Sequence, residues 1–178
     1  HRYQQNMHRS LWLCLSLTLL VPASSDAAVR VTLGGDVALN WRGTPVYWKT
    51  FPPKKNPFRF IKHVFAPADL SVVNMEGVLM RRNPKYATPK WNLWAPAVSA
   101  QVFKPAGIDV VSTANNHTFD GRARGVLETL RHLHAAGVKT FGSGKTRALA
   151  EQPFIFRKAG TCVALLPATI DQPSWARI

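Results

Sequence analysis

Asp109-Val-Val-Ser-Thr-Ala-Asn-Asn-His-Thr-Phe-Asp120 runs from an apolar, β-branched segment straight into two amides, an imidazole and a carboxylate. Val110 and Val111 follow Gly107 and favour a pleated strand, whereas Asn115, Asn116 and His117 fall where that strand must end. A strand that stops in such residues delivers them to one edge of a sheet, where a rigid scaffold can hold chemistry in place. Working outward, Val29-Arg-Val-Thr-Leu33 reads as a strand that breaks at Gly34-Gly35-Asp36, the glycines allowing a tight turn that leaves the carboxylate at the strand's carboxyl end. Leu70-Ser-Val-Val73 reads as another, ending in Asn74-Met-Glu76-Gly77. Three strand ends carrying acids or amides are a recurring arrangement for sites on α/β sheets.

The intervening segments suit that picture. Residues 41–57 are rich in Pro, Trp and Lys without a sustained period, which predicts a long loop or lid. Asn56-Pro57 can cap a short helix over residues 58–66, with Phe58, Ile61 and Phe65 on one face. Residues 81–96 read as a second irregular segment, and Pro96 as the start of a helix reaching about Lys104. Residues 125–136 predict an amphipathic helix with Val126, Leu127, Leu130 and Leu133 inward and Gly137 as its cap; His132 and His134 fall on its solvated faces. Residues 138–142, 153–158 and 161–166 read as short strands, the last two as a hairpin across Ala159-Gly160. Helices alternating with strands, then a hairpin, predict a mixed-sheet α/β sandwich.

The 178 residues carry a net charge of +14, or +13 with residues 1–28 set aside, since these hold two Arg and one Asp. The basic residues are dispersed and show no register along a recognition helix, so no nucleic-acid partner is expected. A surface of this sign attracts anionic polymers, anionic head groups or phosphorylated substrates. Of the eight acids that remain, Asp36, Glu76 and Asp120 lie in the strand-end motifs. Residues 1–28 read as upstream residues followed by a secretory signal starting at Met7, with a basic start, the apolar run Leu11 to Val21 and small residues near the cleavage point. That run is shorter than the roughly 20 apolar residues of a membrane span; an uncleaved amino-terminal anchor is the alternative. Either way residues 29–178 are expected on the extracytoplasmic side, periplasmic, secreted or membrane-associated. Cys162 is then the sole thiol, which rules out an internal disulfide, and its place in Thr161-Cys-Val-Ala-Leu-Leu166 predicts a small apolar filler in a buried strand.

Gly35-Asp36, then Ala68-Asp69-Leu-Ser-Val-Val-Asn74-Met-Glu76-Gly77, then the stretch from Gly107 to Asp120 resemble, in order and spacing, the successive blocks of the CapA family of capsule and poly-gamma-glutamate biosynthesis proteins. The similarity continues through Leu127-Glu-Thr-Leu130, Ala136-Gly-Val138 and Gly142-Ser-Gly144, covering about residues 31–169, and is more specific than any single short motif. The family's domain is similar in fold to the calcineurin-like metallophosphoesterases, which implies a four-layer α/β/β/α sandwich. Residues 29–178 are expected to form its amino-terminal part, truncated at the carboxyl end before a Gly-His segment that brings further histidines.

The resemblance also implies a site. Asp36, Glu76 and Asn116 match the positions that hold divalent metal, with Mn, Zn, Fe or Mg as candidates, and His117 matches the catalytic histidine that assists charge development on the substrate. Asn74, Asn115 and Asp120 are expected to orient those groups. Read singly, Asp36 could be a turn cap, Glu76 a surface charge and Asn-Asn-His a hydrogen-bonded turn. The chain departs from the pattern in having no histidine at Ala38 and in carrying Gly121-Arg122 where the family often has Tyr-Gly. Three functions stay open: an extracytoplasmic metal-dependent hydrolase in capsule-polymer synthesis or export, a non-catalytic basic scaffold holding the anionic polymer near a membrane synthase, and a periplasmic phosphatase or nucleotidase acting on phosphate esters. Without the later histidines, this stretch alone is expected to be inactive.

Overall fold

The computed structural model describes residues 28–39, 56–82, 84 and 93–169. The expected signal segment, most of the lid over residues 41–57 and much of the segment 81–96 lie outside them. In chain order the elements are β1 (Val31–Val37), α1 (Lys62–Phe65), β2 (Leu70–Met75), β3 (Val78–Met80), β4 (Trp94–Pro96), two 3-10 helices (Ala97–Val102 and Lys104–Ala106), β5 (Val110–Ser112), α2 (Arg122–Ala135), β6 (Lys139–Phe141), α3 (Arg147–Glu151), β7 (Phe154–Lys158) and β8 (Thr161–Leu165). No helix among the described residues is long and apolar enough to cross a membrane.

Four strands make one sheet in the order β1-β2-β5-β6, and each neighbouring pair is parallel. Parallel strands are covered on both faces, and the sequence of β2 and β5 shows how. Val73, Met75 and Val111 point to one side, where they pack with Phe103, Ile108, Leu133 and Val138 from the helical segments. Leu70, Val72 and Val110 point to the other, against Phe141 and the hairpin residues Phe154, Phe156 and Leu165. The result is a mixed α/β fold in which helices lie on one face of a parallel sheet and the antiparallel β7–β8 pair lies on the other.

Several local expectations change. Residues 56–61 form turns, with Asn56 Oδ1 accepting from Phe58 N at 2.8 Å, and only one α-helical turn follows. Ile61 is exposed while Phe58 and Phe65 join the core. Residues 97–106 wind as 3-10 rather than α-helix, closed by Gly107 at φ 83, because Pro105 removes a donor and the glycine ends the run. Trp94–Pro96, expected to be irregular, is a strand parallel to β3. The α2 helix starts three residues before Gly125, and Thr129 rather than Leu127 takes the inward position: its hydroxyl donates to Gly125 O at 2.7 Å and accepts from Leu79 N at 2.8 Å. A hydroxyl so satisfied can be buried, which leaves Leu127 37% exposed.

The hairpin is present, but its expected buried cysteine is exposed. Cys162 pairs with Arg157, whereas the inward row comprises Phe154↔Leu165 and Phe156↔Val163; the alternation of a strand puts Cys162 on the outer side. The turn itself holds Ala159 at φ 47 and Gly160 at φ 80, the left-handed pair that suits a two-residue hairpin but penalises alanine. Ala159→Asn is therefore expected to stabilise the chain by about 0.5–1 kcal/mol, read as a raised denaturant midpoint.

A charged tie fastens this hairpin to the sheet. Lys158 Nζ donates to Asp69 Oδ1, and Arg30 N donates to Asp69 Oδ2 at 2.8 Å. The lysine first, then the amide, hold the Asp69 carboxyl below the ordinary aspartate range. A depressed folded value contributes stability that is complete above the unfolded pKa of about 3.9 and is lost as pH falls through the lower folded value. Amide protection in β7 and β8 is expected to fall on acidification through that window, and Asp69→Asn to remove the pH dependence; equal acid sensitivity in both proteins would count against the tie.

Candidate functional site

Because β1, β2 and β5 are parallel, their carboxyl ends meet at one edge, and the register decides which side chains align there. The pairing of β1 with β2 passes from Leu33↔Val72 to Asp36↔Asn74, so β1 spends one residue more than its neighbour. This is a β-bulge within a continuous strand, not the break expected at Gly34-Gly35. Its consequence is specific: without the extra residue, Asp36 would turn toward the apolar face that Val37 now occupies. With it, Asp36, Asn74 and Ser112 stand in one row. Gly34 permits the close approach this requires, since a Cβ there would lie 2.8 Å from Val73 Cγ1 and 3.2 Å from Phe65 Cζ.

From that row a hydrogen-bonded chain crosses the edge. Asn74 Nδ2 donates to Asp36 Oδ1 at 2.7 Å. Asn115 Nδ2 donates to Asn74 Oδ1 at 3.1 Å and to Met75 O at 2.9 Å, while Asn115 Oδ1 accepts from His117 N at 3.0 Å. Asn115 is 7% exposed, so this amide uses both ends of its side chain to join β2 to the loop after β5. The hydrogen-bonded turn foreseen for Asn-Asn-His is therefore present, and it carries His117.

The imidazole lies between two carboxylates. His117 Nδ1 is 2.9 Å from Asp120 Oδ2, and Nε2 is 4.0 Å from Glu76 Oε1. An ionised carboxylate can only accept, so Asp120 assigns the hydrogen to Nδ1 and leaves Nε2 as the lone-pair nitrogen on the Glu76 side. Leu93 N donates to the same Asp120 oxygen at 2.6 Å, which fixes the carboxylate from the β4 side. Sequence reasoning missed this backbone donor; its signal was Gly77, whose φ of 115 and close approach to Leu93 O let β3 and β4 meet.

Asp36 and Asn116 are exposed at the edge, and Glu76 is partly buried. Two carboxylates and an amide oxygen suit a hard divalent cation, with His117 as the adjacent nitrogen donor. Among the described residues no three His, Cys, Asp or Glu side chains converge on one point. Glu76 and Asp120 sit at opposite nitrogens of the ring, so a cation at Asp36 and Glu76 would draw its third protein donor from Asn116 or from His117 Nε2 rather than from Asp120. The donor set fits such an open site. His132 and His134 take no part: His134 Nε2 is 2.8 Å from Thr140 Oγ1, and His132 Nε2 is 3.1 Å from Arg131.

At the start of α2, Arg122 adopts φ 54, the left-handed region that glycine tolerates. A Cβ at Gly121 would lie 2.5 Å from Met80 Sδ and 2.6 Å from Gly125 Cα, so a larger side chain there would require β3 or the first turn of α2 to shift.

The family model for the bacterial capsule synthesis protein PGA_cap matches residues 30–177. The chain is also similar to two uncharacterized proteins of Sinorhizobium fredii (strain NBRC 101917 / NGR234), y4sH and y4uA. Each is 29% identical over 115 residues, covering 61% of this chain and 25% of the relative. The chain thus spans about a quarter of the length of these curated relatives.

Proposed function

Because this chain belongs to the bacterial capsule synthesis protein family PGA_cap, we propose that it serves, outside the cytoplasmic membrane, the synthesis or export of an anionic capsule polymer such as poly-gamma-glutamate. The chemistry we assign is that of a metal-dependent, phosphoesterase-like hydrolase. The observation that carries this reading is the continuous bonding from Asp36 through Asn74 and Asn115 to His117 and Asp120. A merely structural turn would not need a carboxylate-bound imidazole beside a second carboxylate.

In this proposal Asp36, Glu76 and Asn116 hold a divalent cation, which when bound supplies Lewis-acid polarisation of the scissile group and an acidified water. His117 offers Nε2 to the reacting oxygen, and Asp120 keeps the proton on Nδ1 and stabilises the ring when it becomes cationic. Asn74 aims the Asp36 carboxylate; Asn115 sets the distance between β2 and the imidazole. The four-layer sandwich belongs to the same proposal, with β7–β8 as part of its second sheet. Its outer row, including Ile155 and Cys162, is exposed, as a face awaiting a further layer would be.

Calorimetric titration with Mn²⁺ tests the cation. Wild type is expected to bind, and Asp36→Ala and Asn116→Ala to lose at least about tenfold in affinity. Unchanged binding in both variants would remove the hydrolase reading.

A further inference from the structure

The turns that lead into α1 are pinned at both ends and exposed between them. Phe58 packs on Phe103 with ring centroids 5.9 Å apart, Asn56 Nδ2 donates to Val102 O at 2.7 Å, and Phe65 is buried in the core. The six residues between the two aromatic anchors, Arg59-Phe-Ile-Lys-His-Val64, are all exposed. Half of them are large and apolar: Phe60 is 70% exposed, Ile61 43% and Val64 49%. The other half are Arg59, Lys62 and His63, and residues 56–66 contain no carboxylate.

The spacing sorts these six into two groups. Phe60 and Ile61 stand four and three residues before Val64, and Arg59 stands three and four before Lys62 and His63, so each set shares one face of the turns. The two faces touch where the Arg59 guanidinium carbon lies 4.0 Å from the centroid of the Phe60 ring. The backbone closes on itself: Arg59 N donates to Asn56 O at 3.0 Å, Ile61 N to Phe58 O at 3.0 Å and Val64 N to Ile61 O at 2.9 Å.

We propose that residues 59–64 are an interfacial contact by which the chain rests on an anionic lipid bilayer, Phe60, Ile61 and Val64 entering the boundary between head groups and acyl chains while Arg59 and Lys62 pair with phosphates. None of these residues belongs to the candidate site, so the inference stands apart from the cation and the hydrolase reading.

Charge and size favour lipid over protein as the occupant. Exposed apolar side chains bordered by cations, with no acid among them, suit a surface that is negative outside and hydrocarbon beneath, and binding of such a segment grows with the apolar area buried plus the attraction to anionic head groups. A long cationic side chain can lie along the apolar surface and keep its head in the polar layer, which is the disposition Arg59 already has on Phe60. The satisfied backbone lets the turns approach hydrocarbon without stranding a polar group. A stable protein interface takes roughly 20–30 residues a side, many more than this protrusion offers, whereas a bilayer accepts a few anchors.

The test uses the full chain with vesicles of phosphatidylglycerol in phosphatidylcholine, and vesicles of phosphatidylcholine alone as the second arm. Every variant carries the same amino terminus, so binding through the apolar run Leu11 to Val21 is common to all and the contact is read as differences between them. Phe60→Gln with Val64→Gln is expected to weaken binding to the anionic vesicles at least about tenfold, from the apolar area withdrawn. Arg59→Gln with Lys62→Gln is expected to weaken it at least about fivefold, the contribution of about one cation near such a surface. Leu149→Gln with Leu166→Gln, and Lys145→Gln with Arg157→Gln, remove the same chemistry from exposed positions elsewhere and are expected to change it less than about twofold, the size of a screened long-range effect. A local reading accompanies these: amide exchange in residues 59–65 is expected to slow when anionic vesicles are added and to be unchanged with phosphatidylcholine alone. Equal losses in the patch and control variants, or unchanged exchange at residues 59–65 in chain bound to anionic vesicles, overturn the contact. Equal affinity for the two kinds of vesicle overturns the anionic assignment. Self-association without lipid that Phe60→Gln with Val64→Gln abolishes would give the face to a second copy of the chain instead.

Discussion

Gly77→Ala is expected to cost about 2–6 kcal/mol, the sum of backbone strain and overpacking of about 1–3 kcal/mol each. At φ 115 the backbone lies where side chains are rarely tolerated, and the new Cβ would stand 2.3 Å from Leu93 O. That carbonyl cannot simply retreat, because it accepts from Val78 N at 2.8 Å and belongs to the residue whose amide holds Asp120. Displacing Leu93 therefore releases the Asp120 carboxylate as well as the β3–β4 pair. Against a typical total stability of about 5–15 kcal/mol, this is a large share. Chemical denaturation reads it directly; a midpoint equal to wild type would mean that β3 and β4 do not meet as described. Gly35→Ala is the internal control, since nothing lies within 4 Å of a Cβ there.

The second large effect is expected from Asn115→Leu, at about 2–6 kcal/mol. The amide is buried and bonds Asn74 Oδ1, Met75 O and His117 N. Leucine is near in volume but leaves that carbonyl and that amide N–H unsatisfied, at about 1–3 kcal/mol each. Asn116, next in sequence, is exposed, so Asn116→Ala is expected to cost less than about 0.5 kcal/mol, as exposed positions usually do. The two variants should therefore separate: Asn115 decides whether the edge is built, whereas Asn116 is the residue to which the proposed function gives a share of the cation. Equal stability losses in the two would contradict the burial difference.

Much of this edge was legible in the chain because apolar β-branched runs ending in polar residues leave few other interpretations. Val110-Val111 before Asn115, and Val72-Val73 before Asn74, are such runs, and both appear as buried parallel strands. The Ala159-Gly160 turn announced its hairpin equally well. What could not be read was register. Two adjacent glycines signal relaxed backbone, yet break and bulge have the same composition. Only the pairing of Leu33 with Val72 and of Asp36 with Asn74 distinguishes them. Cys162 shows the same limit: an apolar run of six residues does not say which alternate side chains face inward when the strand has a partner on one side. Thr129 displaced Leu127 from the inner face because a hydrogen bond to a strand three-dimensionally near but fifty residues away made a hydroxyl acceptable there. A backbone donor such as Leu93 N has no side-chain signature of its own, and Gly77, which permits the close approach that places it, marks it only indirectly.

In the proposed function the chemistry depends on a cation that Asp36, Glu76 and Asn116 would share. Anomalous diffraction from a crystal equilibrated with Mn²⁺ is the most direct test. A single strong peak within ligand distance of Asp36 and Glu76 oxygens and of the Asn116 amide oxygen, lost in Asp36→Ala, is the expected result. A crystal with ordered strand ends and no peak between them, or a peak elsewhere that survives Asp36→Ala, would contradict it.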